Sequence, residues 1–82
     1  MELDSVVKML EDLGDDNSVP KNIRRSTQEA ADKLKDQTKE ISVRINAAVS
    51  ILDEVSNDPN LPIHARTKVW HIASALETLS KK

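Results

Sequence analysis

Apolar residues recur along this chain at the three- and four-residue steps of an α-helix, in four separate blocks. In the first, Leu3, Val6, Val7, Leu10 and Leu13 share one helical face, which predicts a helix over about Glu2 to Leu13. Gly14, the single glycine, follows the last periodic position. Helices commonly end there on a left-handed residue, which glycine adopts without a Cβ clash. Asp15, Asp16, Asn17 and Ser18 then read as a turn.

The second helix is predicted to start near Pro20, because a proline suits the first helical position, where its missing N–H would be unpaired anyway. Ile23, Thr27, Ala30, Ala31 and Leu34 mark its buried face, a thin one with two large aliphatics. Lys35 to Glu40 is wholly polar and reads as a fraying end plus a linker. The third helix spans about Ile41 to Ser56. Its main stripe is Ile41, Ile45, Ala48, Val49, Leu52 and Val55, and Val43, Ala47 and Ile51 add a second. So wide an apolar arc predicts the most buried helix of the four. Asn57, Asp58, Pro59 and Asn60 break it. The fourth helix runs from near Pro62 to about Leu79, with Ala65, Val69, Ile72, Ala73, Leu76 and Leu79 as its stripe and Lys81 and Lys82 at its end, where positive charge suits the helix dipole. No block alternates as a strand does.

Shifted by 42 residues, the chain matches itself without a gap. Leu10 falls on Leu52, Asp16 on Asp58, Pro20 on Pro62, Arg24 on Arg66, Ala31 on Ala73 and Leu34 on Leu76. Each half, about 2–38 and 41–80, reads as helix, acidic turn, proline, helix. The expected fold is therefore all-α: one domain over 1–82, with four antiparallel helices as two tandem hairpins. These form either a HEAT-like pair or a four-helix bundle. Ser42, Val43 and Arg44 with Ala47 and Ala48, and likewise His64, Ala65 and Arg66, are similar to the start of a HEAT repeat's second helix. Asp58 and Arg66 stand eight apart, wider than that motif.

A closer resemblance covers nearly the whole chain. Val19, Pro20, Asn22, Ile23, Arg24 and Arg25, then Ile51 to Glu54, the two-proline turn from Ser56 to Pro62, and Ala65, Arg66 and Thr67 resemble a family of small archaeal proteins with no assigned activity. The resemblance implies an archaeal cytosolic origin and a helical fold, and it carries no functional residues across.

Composition narrows the chemistry. The charges nearly balance at a net of -2, which argues against a nucleic-acid arm or a polybasic membrane patch. Cysteine is absent, so disulfides, thiolate catalysis and Cys-based zinc sites are excluded. Trp70 is the only aromatic, and ligand pockets usually lean on aromatic walls. No signal peptide or membrane span is legible, so the cytosol is the expected location.

Each candidate site has a plainer structural explanation. His64 and His71 lie seven apart on the fourth helix, roughly 10.5 Å along its axis. That is too far for one zinc ion, so both are expected to be solvated. Asp12, Asp15, Asp16 and Asn17 suggest calcium, but the loop counted from Asp12 puts Asn17 and Ile23 where a glycine and a glutamate are needed. Capping of the second helix is the preferred role. Arg24, Arg44 and Arg66 recur near helix starts, and Arg24 and Arg66 are expected to reach back to Asp16 and Asp58. Lys21, Arg24 and Arg25 form the densest basic cluster, with no aromatic nearby for base stacking. Trp70 shares a side of its helix with Ile63, outside the main stripe. It either packs on a flank of the third helix or marks a partner surface.

No Ser–His–Asp arrangement, phosphate loop, dinucleotide fingerprint or paired-histidine motif is present, and no metal or cofactor is expected. The leading expectation is a non-enzymatic protein-interaction or scaffold module using Ile63 and Trp70, with an unidentified protein or a second copy as partner. The alternative is an accessory protein that binds RNA or a ribonucleoprotein through Lys21, Arg24 and Arg25. No membrane partner is expected.

Overall fold

The computed structural model describes residues 2–80 as four helices: α1 (Leu3–Gly14), α2 (Lys21–Lys35), α3 (Ile41–Ser56) and α4 (Ile63–Ser80). Each is antiparallel to the next, as short connections require. α1 packs on α2, α2 on α3, α3 on α4, and α4 back on α1. Among the described residues, the backbones of α1 and α3 do not approach closely, nor do those of α2 and α4. This is the closed ring of a four-helix bundle. A stacked HEAT pair would instead lay α3 along α1 and α4 along α2.

One aliphatic core fills the ring, and its buried positions keep the 42-residue register. Val6 pairs with Ala48, Leu10 with Leu52, Leu13 with Val55, Val19 with Leu61, Ile23 with Ala65, Thr27 with Val69, Ala30 with Ile72, and Leu34 with Leu76. Sizes trade across the register: Ile23 is large where Ala65 is small, and Ala30 is small where Ile72 is large. Interior volume is conserved, as close packing demands. Thr27 is the one buried polar side chain among the described residues, and its hydroxyl donates to the Arg24 carbonyl at 2.8 Å.

Two expectations about burial are corrected. The face of α2 is not thin in effect, since it buries five residues to the four buried by α3. Alanines let α2 sit close to its neighbours. The second stripe of α3 does not reach the interior: Val43 is 49% exposed and Ala47 and Ile51 are half-buried. α3 is thus buried along one stripe, like the others.

Helix ends differ from expectation in instructive ways. Gly14 lies inside α1 with no positive φ. Glycine serves close approach there, because a Cβ would stand 2.6 Å from Gln28 Cγ. Pro20 precedes α2 as its N-cap rather than opening the helix. Residues 36–40 do not fray but form an ordered turn of the same design as the other two. In each turn an aspartate carboxylate accepts the backbone N–H two residues on: Asp16 from Ser18, Asp36 from Thr38, Asp58 from Asn60. Its carbonyl accepts the N–H three residues on, from Val19, Lys39 and Leu61. These are Asx turns. The acidic residues therefore close the turns and do not cap α2, whose N-cap makes no side-chain bond.

Hydrogen bonds from Ser18 and Thr38 hold the Asp16 and Asp36 carboxyls below the ordinary carboxylate range, with smaller help from His64 at Asp16 and from Lys39 and Lys33 at Asp36. A depressed folded pKa contributes stability above the unfolded value, about pH 4, and loses it as pH falls through the folded value. Melting temperatures followed from neutral pH to about pH 2 should decline below that point. The pair Asp16→Asn and Asp36→Asn keeps an acceptor for each turn but removes the titration, so it should flatten the fall; parallel curves for variant and parent would refute a contribution from these two carboxylates. Separately, Leu52→Ala should cost about 2–5 kcal/mol in denaturant unfolding as a core truncation. A loss under about 1 kcal/mol would contradict its place in the core.

Candidate functional site

The five residues singled out from sequence fall into two groups on different helices. Ile63 and Trp70 lie two turns apart on the outward side of α4, 84% and 60% exposed. Trp70 therefore does not pack into the bundle. Arg66, half-buried, stands between them at the steps that share a helical side. Among the described residues, the other exposed large apolar side chains are Ile41 and Val43, at the start of α3.

Lys21, Arg24 and Arg25 rise from the first turns of α2 and, with Gln28 and Gly14, line a shallow cavity of about 200 Å³. None of the three has a carboxylate partner within ion-pair distance among the described residues. Arg24 does not reach Asp16. Its Nη1 donates to Asn17 Oδ1 at 3.3 Å, and its buried Nε has no acceptor. The backbone turns at Asp16 to close the Asx turn, so Asn17 is the acceptor within reach.

Arg44 has a structural role, through carbonyls rather than a carboxylate. Its Nε donates to the Lys39 carbonyl at 3.1 Å and its Nη1 to the Leu34 carbonyl at 3.2 Å. It so satisfies a free carbonyl at the C-terminus of α2, where a cation is favoured. Arg66 makes no hydrogen bond to Asp58. That carboxylate instead accepts from Asn22 Nδ2 at 3.1 Å.

The last contact has a counterpart that sequence reasoning missed. His64, expected to be solvated, lies 3.0 Å from Ser18 Oγ and 3.4 Å from Asp16 Oδ2 through Nε2. Residues 16 and 22 match 58 and 64 in the 42-residue register, so the ties Asp16–His64 and Asp58–Asn22 are reciprocal. The register held the signal: a pair related by it at one end of the bundle implies crossed contacts if the halves face each other. His71 is exposed and tied to nothing among the described residues.

Ser18, His64 and Asp16 together do not make a nucleophilic triad. Both Ser18 and Asp16 approach the same imidazole nitrogen, and the Ser18 hydroxyl is turned to Asp16 Oδ1 at 2.6 Å. A triad needs the acid on the other nitrogen and the base free to take the serine proton. Glu11, Asp15 and Asp32 line a separate shallow cavity of about 250 Å³ with Gln28 and Ala31, and no group of three or more metal-ligating side chains gathers among the described residues. No described helix is long and apolar enough to cross a membrane.

The chain as a whole is similar to known proteins. A relative from Methanothermobacter thermautotrophicus is 50% identical over 74 residues, covering 90% of this chain and 72% of its own. One from Desulfurococcus amylolyticus is 43% identical over 79 residues, 96% and 87% of the two chains. Two crystal structures superpose with a TM-score of 0.90. A protein of unknown function, MMP1188, is 43% identical with 93% and 86% of the two chains covered, and a Thermoplasma acidophilum protein is 40% identical with 94% and 91% covered. The expected likeness to archaeal proteins without an assigned activity thus takes a definite form. Residues 1–79 match the model of an uncharacterised protein family, and the chain belongs to that family, UPF0147.

Proposed function

We propose that this protein is a non-enzymatic interaction module that docks a protein partner on the outer side of α4. The observation that carries the reading is the outward placement of Ile63 and Trp70, the two most exposed of the large apolar side chains among the described residues at 84% and 60%. Tryptophan anchors interfaces because it brings large apolar area with little side-chain entropy to lose. Arg66 lies between the two anchors, so the fitting partner offers an apolar side chain flanked by a carboxylate. A second copy of the chain is one occupant of this kind of surface. The shallow polar cavities and the blocked Ser–His–Asp geometry support a binding role over catalysis.

The basic cluster favours a second reading, an accessory role on RNA or a ribonucleoprotein. Lys21, Arg24 and Arg25 crowd one cavity with no carboxylate partner, which suits phosphate contacts.

Affinity capture from the source organism, run side by side with wild type and variants, separates the two. Trp70→Ala should weaken the captured protein's binding at least about tenfold, the scale of a lost hot spot. It should leave stability within about 0.5 kcal/mol, as for an exposed site. If the same partner is retained at equal affinity, the α4 surface is not the site. RNA binding requires a salt-dependent mobility shift that neutralising Lys21, Arg24 and Arg25 removes, and no shift at low ionic strength would end that reading.

A further inference from the structure

The three interhelix turns share one design, but one of them lacks its locks. The first turn follows Gly14 and ends on Pro20, and the third holds Pro59 and Pro62. The middle turn, Asp36–Gln37–Thr38–Lys39–Glu40, contains neither proline nor glycine, so every residue in it can enter a helix. Its two ends already have helical φ. Asp36 sits at φ -74°, ψ 92° and Glu40 at φ -64°, ψ 152°. At these two positions, rotating ψ to about -42° restores the helix.

The closed ring supplies a destination for such straightening. Exchanging the hairpins, α1 with α3 and α2 with α4, converts the α2–α3 contact into the α4–α1 contact. A hairpin from a second copy therefore offers the same two seams and the same two ties, Asp16–His64 and Asp58–Asn22. We propose that the 36–40 turn is a hinge at which two copies of this chain exchange hairpins, with α2 and α3 running on as one helix. The product is two identical bundles stacked end to end.

A second observation shows what the stacking covers. Ile41 lies on the core stripe of α3 with Ile45, Ala48, Leu52 and Val55, yet it is 46% exposed because the bundle ends there. Leu3 and Leu79, half-buried, belong to the same end. Abutting bundles bury this apolar end. The bonds lost on opening are the Asx bonds of Asp36 and the two Arg44 bonds to Lys39 and Leu34. A continuous helix replaces them with its own backbone ladder.

The test uses the absence of cysteine. Asn22→Cys with Asp58→Cys puts one thiol on each of two residues whose side chains meet, Asn22 Nδ2 and Asp58 Oδ2 lying 3.1 Å apart, in a Trp70→Ala background that removes association through α4. The chain is refolded across a wide concentration range and then oxidised. Exchange predicts a species of twice 9.1 kDa that stays covalently dimeric in denaturant without reductant. Arg44→Ala should enrich it. Gln37→Pro with Glu40→Pro, which copy Pro59 and Pro62 of the third turn, should abolish it. A chain that closes its disulfide only internally at every concentration, with Arg44→Ala as well, overturns the proposal. So does a dimer that denaturant separates into internally closed monomers, because that is stacking without exchange.

Discussion

Every helix buries a single stripe of aliphatic side chains, and with one tryptophan turned outward no aromatic ring adds bulk to the interior. Four such stripes exclude water only when all face one axis. An open pair of hairpins would leave part of each stripe wet, at about 25 cal/mol for every Å² of apolar surface left uncovered. The closed ring follows, and with it the contact of α1 with α4, which no connecting segment enforces. Alanines at 30, 31, 48 and 65 bring the helices close enough for Leu and Ile to fill what remains.

Among the described residues, hydrogen bonds between side chains of the two hairpins gather at one end of the bundle, where the turns also have backbone groups to satisfy. An aspartate opens each turn and holds it with its own carboxylate, so the chain reverses without glycine in any turn. Two of these aspartates do more. By reaching His64 and Asn22 on helices of the opposite hairpin, Asp16 and Asp58 tie the halves together at the end that the middle turn does not span. The Lys35–Glu11 ion pair, 2.7 Å and half exposed, adds a weaker tie between α1 and α2.

Helix number, order and most of the core were legible because a 3.6-residue apolar period survives in each block; α3 was expected at Ile41 to Ser56 and is found there. Misreadings arose where periodicity says nothing. The stripe of Val43, Ala47 and Ile51 has the spacing of a buried face, but only three-dimensional neighbours decide which of two stripes turns inward. Gly14 was assigned a backbone role that is common at helix ends, whereas its use here depends on Gln28, fourteen residues away. Lys35 to Glu40 reads as a linker because it is uniformly polar and carries no apolar period. The step of eight from Asp36 to Arg44 equals that from Asp16 to Arg24 and from Asp58 to Arg66, and it marked a third copy of the same turn. At the candidate sites, sequence singled out Trp70 and the basic cluster but left open which way each faced. His64 escaped notice because its partners are set by closure of the ring and lie 46 and 48 residues away in the chain.

Closure with an even number of antiparallel helices places Leu3 and Ser80 at the same end of the bundle, on the two helices whose seam has no covalent turn at that end. Tension drawn between those two points acts across that seam and peels α1 from α4 one layer of side chains at a time, rather than loading all layers at once in shear. The bundle is therefore compliant along the line from Leu3 to Ser80, and under such a load the α1–α4 seam is the first to part. The far end, where Asp16 meets His64, is the last part of that seam to open.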